Sequence, residues 1–324
     1  MKQALSLENA AGPELRPGPR VGADPLPVWA GIGAVLLGAV LVAARWLTRS
    51  RFLVDWDAVN YALALDHYDI RLGQPHPPGY FLYILLGRGV RTLVGEANLA
   101  LVLVSAAFGL LLVVLLYAVT RELFGRSAGA LAAALGMTGP TFWFQSSVAS
   151  SRTTEAFFAT WIAWLCLLVG RRRSRWAFWL LPLVLAAAAG FRQNILLFML
   201  PLCVYATWHV PLRKRLAAGA ILIAGVLSWA LPMLATSGGL GEYQRQNVMH
   251  WQTFITNDSG VFDAPTLLAA LRRALTNGLY LFVYTWFLCV LGLPVGLVAA
   301  RRAWARRRAF AGGRATSRKR TPAA

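Results

Sequence analysis

Long apolar runs set the first limit on what this chain can fold into. Val28 to Leu47, Ala97 to Thr120, Ala128 to Phe144, Leu216 to Ala235 and Leu279 to Ala300 each approach the roughly 20 residues that carry a helix across a bilayer. Ala156 to Gly170, Trp176 to Ala189 and Ile195 to His209 are shorter, each long enough for a thin span or a partly inserted helix. With 57% hydrophobic and 14% charged residues over 324 positions, the chain is too apolar for a soluble domain. The expectation is an all-α, polytopic integral membrane protein with about eight spans.

Charge arranges those spans. The formal charge of +19 lies in short clusters between apolar runs and not along one amphipathic face, so it reads as a topology signal and not as a nucleic-acid footprint. The cluster Arg171, Arg172, Arg173, Arg175 and the cluster Arg213, Lys214, Arg215 fall on one side only if residues 176–209 form a hairpin broken at Gly190 to Asn194. With both termini cytoplasmic, most Lys and Arg then lie inside and most carboxylates outside, as in a plasma (inner) membrane protein. Residues 1–27 read as a flexible cytoplasmic tail, 28–300 as the membrane core and 301–324 as a basic cytoplasmic tail. Cys166, Cys203 and Cys289 sit in separate apolar runs, where a thiol behaves as a small hydrophobe.

The stretch from Asp55 to Tyr83, DWDAVNYALALDHYDIRLGQPHPPGYFLY, breaks this pattern. It holds Asp55, Asp57, Asp66 and Asp69 of 13 carboxylates and His67 and His76 of 4 histidines. Ionisable groups beside hydrocarbon are costly, which points to use rather than storage. Within it, 57–66 has helical spacing with Tyr61 and Leu65 on one side. Residues 78–94 read as a second interfacial helix started by its prolines, with Tyr80, Tyr83 and Leu86 towards lipid. Asp55, two residues before Asp57, points the same way on an extended approach, so the two can share a proton or a divalent cation, with His76 as a further ligand.

Asp57, Tyr61 and the run His76-Pro77-Pro78-Gly79-Tyr80 resemble the first outer loop of membrane glycosyltransferases of the C superfamily, the clan of protein O-mannosyltransferases and lipid A aminoarabinose transferases. There an Asp soon after the first span is followed by an aromatic four residues on and then by an HPP turn. The resemblance covers about residues 52–170 and implies transfer of a sugar from a polyprenyl phosphate to an acceptor outside the cytoplasm. It departs at Ala58, where the mannosyltransferase pattern carries a second acid.

Such a transfer needs a base for the acceptor hydroxyl, and Asp57 is the candidate, with Asp55 behind it. The other use of Asp57 is as a cap for the helix that follows. His76, held extended before two prolines, either orients the site or pins the turn. The leaving group is a lipid phosphate, so a fixed arginine beside it is expected. Arg152 and Arg192 are the candidates, with Glu155 able to pair with Arg152 on one helix turn and Gln193 and Asn194 near the sugar. The loop 241–263, with Glu242, His250, Trp251, Asp258 and Asp263, has the aromatics and amides of a sugar-binding surface but reads first as an aromatic interfacial belt. Two alternatives stay open: a lipid or solute transporter, which would bury its ionisable groups near the midplane, and a non-catalytic membrane scaffold.

Overall fold

The computed structural model describes residues 28–172, 174–253, 264–281 and 283. Both tails, Cys289, Asp258, Asp263 and most of the run from Leu279 to Ala300 lie outside the described residues. The described residues are helical, with one isolated β-bridge, Asp69 to Gln74. The helices are α1 (Val28–Leu47), α2 (Trp56–Asp66), α3 (Phe81–Val94), α4 (Ala97–Phe124), α5 (Arg126–Thr138), α6 (Pro140–Gln145), α7 (Arg152–Gly170), α8 (Arg175–Phe191), α9 (Asn194–Thr207), α10 (Leu212–Thr236), α11 (Leu240–Thr253) and α12 (Leu267–Leu281). A 3₁₀ turn, Ile70–Leu72, lies between α2 and α3.

Three described helices, α4, α7 and α10, are long and apolar enough to cross a membrane, and α8 and α9 are shorter apolar helices. This is a polytopic membrane protein. The run from Ala128 to Phe144 is not one helix: Gly139 is extended and Pro140 starts α6, because proline lacks the N–H a continuing helix would use. The hairpin expected within 176–209 breaks where charge placed it, with α8 ending at Phe191 and α9 starting at Asn194.

The core is a stack of helices in which α4 packs on α5, α7 and α3, and α7 packs on α8 and α9, with α10 against α8. Small residues set the closest approaches. At Gly190 a Cβ would come within 2.5 Å of Leu82 Cδ1 and 3.2 Å of Trp229 Cδ1, so α8 meets α3 and α10 only because the side chain is missing. Cys166 and Cys203, distant in sequence, face each other across α7 and α9 with sulfurs 3.8 Å apart.

Two local expectations are corrected. α3 begins at Phe81, three residues after Pro78, and Tyr80 and Tyr83 are buried, not turned to lipid. The prolines form a turn ahead of the helix, and the later start rotates Tyr83 and Ile84 into the core shared with α2 and α4. The segment after Ser237 is not an irregular loop, since Leu240–Thr253 is helical and packs on the 3₁₀ turn.

Gly190→Ala is expected to lower stability by about 1–3 kcal/mol through overpacking. Thermal unfolding in detergent checks this against Gly89→Ala, where a Cβ meets nothing within 4 Å.

Candidate active site

Asp55 and Asp57 have different jobs. Asp55 is the N-cap of α2: its backbone is extended and its Oδ1 accepts from the Ala58 N–H at 2.7 Å. Asp57 lies in the first turn, so the capping role belongs to its neighbour. Its Oδ1 is 3.6 Å from His76 Nε2, and its side chain is 39% exposed. Among the described carboxylates, Asp57 alone neither caps a helix nor pairs with an arginine. Asp66, Asp69, Glu122, Glu155 and Glu242 face Arg91, Arg71, Arg171, Arg192 and Arg245, and Glu96 caps α4.

His76 is held by the turn that follows. Proline has no N–H, so residues 77 and 78 cannot feed hydrogen bonds back into local structure, and their carbonyls need outside donors. Gln193 Nε2 and the Tyr243 hydroxyl donate to the Pro78 carbonyl at 3.0 and 3.2 Å, and the Tyr68 hydroxyl donates to the Gly79 carbonyl at 2.7 Å. Gly79 has φ +117°, and a Cβ there would stand 2.8 Å from both Ile70 Cδ1 and the Tyr68 oxygen, so only glycine fits. Gln193 gives its Nε2 to this turn while its buried Oε1 has no partner, and Asn194 is exposed at the start of α9.

Around His76 is a set of rings. Tyr61, 1% exposed, has its centroid 5.6 Å from His76 and 5.0 Å from Tyr80 and Tyr83. Its hydroxyl lies 3.3 Å from Ser151 Oγ, so Tyr61 is a wall and support of the site. The Tyr80 hydroxyl is 3.2 Å from His76 Nε2, and the His250 ring stacks on His76 with centroids 5.5 Å apart. Burial pushes the His76 imidazole below the ordinary histidine value, with His250 and Arg192 acting the same way and Asp57 and Asp55 opposing. The ring is therefore neutral at neutral pH, and its contact with Asp57 there is a polar contact and not an ion pair. Burial also lowers His250 and raises the Tyr61 and Tyr80 phenols, which stay protonated.

Glu155 does not pair with Arg152. It pairs with Arg192 Nη1 and accepts from Ser151 Oγ at 3.0 Å, so the α8–α9 break is tied to the start of α7. The Arg192 guanidinium stands 5.7 Å from the Tyr80 ring centroid. Arg152 is exposed at the first position of α7 and has no ion pair among the described residues. The structure thus brings Asp57, Tyr61, His76, Glu155 and Arg192 into one connected group through Tyr80 and Ser151.

Oδ1 of Asp55 accepts from its own helix, and among the described residues no group of three or more His, Cys, Asp or Glu side chains is placed to hold a metal ion. Sequence reasoning turned Tyr80 towards lipid, gave His250 to an interfacial belt and did not single out Tyr243. The signal was present in the spacing Tyr243, Asn247, His250, which lies on one helical face, but only if 240–253 is read as a helix.

Asp55→Ala is expected to cost about 1 kcal/mol as a lost cap. Asp57→Asn should leave stability within about 0.5 kcal/mol, because no fold contact depends on its charge. Glu155→Gln should cost about 1–3 kcal/mol by leaving Arg192 without its carboxylate. Unfolding of the three variants in one detergent separates these roles.

The family model described as dolichyl-phosphate-mannose-protein mannosyltransferase matches residues 75–236, half of the 324-residue chain. No curated protein and no solved structure matches it.

Proposed function

Because the chain belongs to the dolichyl-phosphate-mannose-protein mannosyltransferase family, we propose that it moves a sugar from a polyprenyl-phosphate donor to an extracytoplasmic acceptor by an inverting displacement, with Asp57 as base. The observation that carries the reading is Asp57 itself, a half-exposed carboxylate free of cap and arginine, beside the turn that the family match includes. A general base must be deprotonated, reachable and close to the proton it takes, and Asp57 is the one described carboxylate available for that work.

In the proposed step the acceptor hydroxyl oxygen attacks the anomeric carbon as Asp57 removes its proton. The bond from that carbon to the phosphate oxygen breaks, and a polyprenyl phosphate leaves with the electron pair. Charge grows on that phosphate, and fixed guanidinium groups lower the barrier by meeting it. Arg152, exposed at the start of α7, is suited to the incoming headgroup, and Arg192 is held in place by Glu155. Neutral His76, in contact with Tyr80 and His250, keeps Asp57 uncompensated, because a protonated imidazole 3.6 Å away would pair with it. The reading includes an eight-span topology with both termini cytoplasmic, which puts the Asp57 loop on the outer face.

Two outcomes follow. In a transfer assay with labelled polyprenyl-phosphate sugars, Asp57→Asn is expected to lose about 10²–10⁴-fold in rate while keeping donor binding. A variant with wild-type transfer would remove Asp57 from the chemistry. The pH profile should be flat through neutrality and fall below the ordinary histidine value of 6.5, as His76 takes a proton and pairs with Asp57. The fall should move in His76→Gln. Stability has the same sign: the native state holds His76 neutral, so it is unaffected above 6.5 and declines as pH drops towards the lowered native value.

A further inference from the structure

A second polar group lies on the far side of the serine segment that supports Tyr61. Arg45, near the end of α1, is only 5% exposed. Its Nη1 donates to Ser146 Oγ at 2.7 Å and its Nη2 to the Met137 carbonyl at 2.8 Å, while its Nε has no partner. The guanidinium sits 5.3 Å from the Phe142 ring and 5.1 Å from the Trp143 ring. One turn on, Arg49 lies 3.8 Å over Trp46. Neither arginine meets a carboxylate among the described residues.

A buried guanidinium beside hydrocarbon needs a counter-charge, and every hydrogen bond Arg45 makes is to a neutral oxygen. Both arginines line a groove of about 260 Å³ between α1 and α4, whose other walls include Val42, Val102, Ala106 and Leu110. Two cations at the end of an apolar trough fit an anionic headgroup with a hydrocarbon chain behind it. We propose that this groove binds an anionic phospholipid, with its phosphate between Arg45 and Arg49 and an acyl chain along α1 and α4. The sugar donor is disfavoured as occupant. The lining includes no residue of α2, the HPP turn or the α8–α9 break, and residues 146–151 stand between Arg45 and Tyr61. A phosphate held there would keep its sugar away from Asp57.

The test is native mass spectrometry of the full chain, delipidated and then supplied with phosphatidylglycerol, phosphatidylcholine or undecaprenyl phosphate. The expected result is one tightly retained phosphatidylglycerol per chain, favoured over phosphatidylcholine. Arg49→Gln, which removes a half-buried charge, and Ala107→Phe, which fills the groove from an exposed position, should each reduce retention by about tenfold or more. Arg45→Met should do the same, and the other two variants carry the test if it fails to fold. Equal retention of phosphatidylcholine, unchanged retention in Arg49→Gln and Ala107→Phe, or displacement by undecaprenyl phosphate alone would overturn the proposal. So would binding seen only after removal of residues 284–324, which would make that segment the occupant.

Discussion

A turn that cannot satisfy its own carbonyls organises this molecule. Pro77 and Pro78 bring no N–H, and a buried carbonyl left alone is expensive, so the turn recruits donors from distant parts of the chain. Tyr68 comes from just after α2, Gln193 from the α8–α9 break and Tyr243 from α11. Three segments far apart in sequence converge on two carbonyl oxygens. His76, the residue ahead of the turn, is fixed as a result, and so is the distance from its ring to Asp57.

The electrostatics repeat that economy. Each described carboxylate but one has a structural task, and the two acids of the first loop divide the work, with Asp55 starting α2 and Asp57 left over at its first turn. Arg192 would be costly at the end of a buried helix without Glu155, and Glu155 is in turn steadied by Ser151, which touches Tyr61. The ion pair, the serine segment and the aromatic wall are therefore joined by direct contacts.

Much of this was legible in the sequence and some was not. Apolar length and the basic clusters predict helices and the break at Gly190 to Asn194, because span length and charge sidedness are local properties. The Asp57, Tyr61 and HPPGY pattern points to the stretch proposed as the site. Which of Asp55 and Asp57 caps the helix depends on one backbone angle, and spacing does not reveal it. The partner of Glu155 depends on packing: Arg152 is nearer in sequence, yet Arg192 comes close because α8 packs along α7. Tyr80 and Tyr83 have the amphipathic look of interfacial residues, and the later start of α3 turns them inward. His250 required α11 to be recognised as a helix in a polar, amide-rich segment.

In the proposed transfer Asp57 takes a proton and does not bond to the sugar. The direct measurement is the anomeric configuration of the product, read by nuclear magnetic resonance, from a polyprenyl-phosphate donor of known configuration, with mass spectrometry of the peptide bearing Asp57 during turnover. Displacement with Asp57 as base gives a product of opposite configuration and an unmodified Asp57. Retained configuration together with a sugar adduct on Asp57 would contradict it and make that carboxylate the nucleophile.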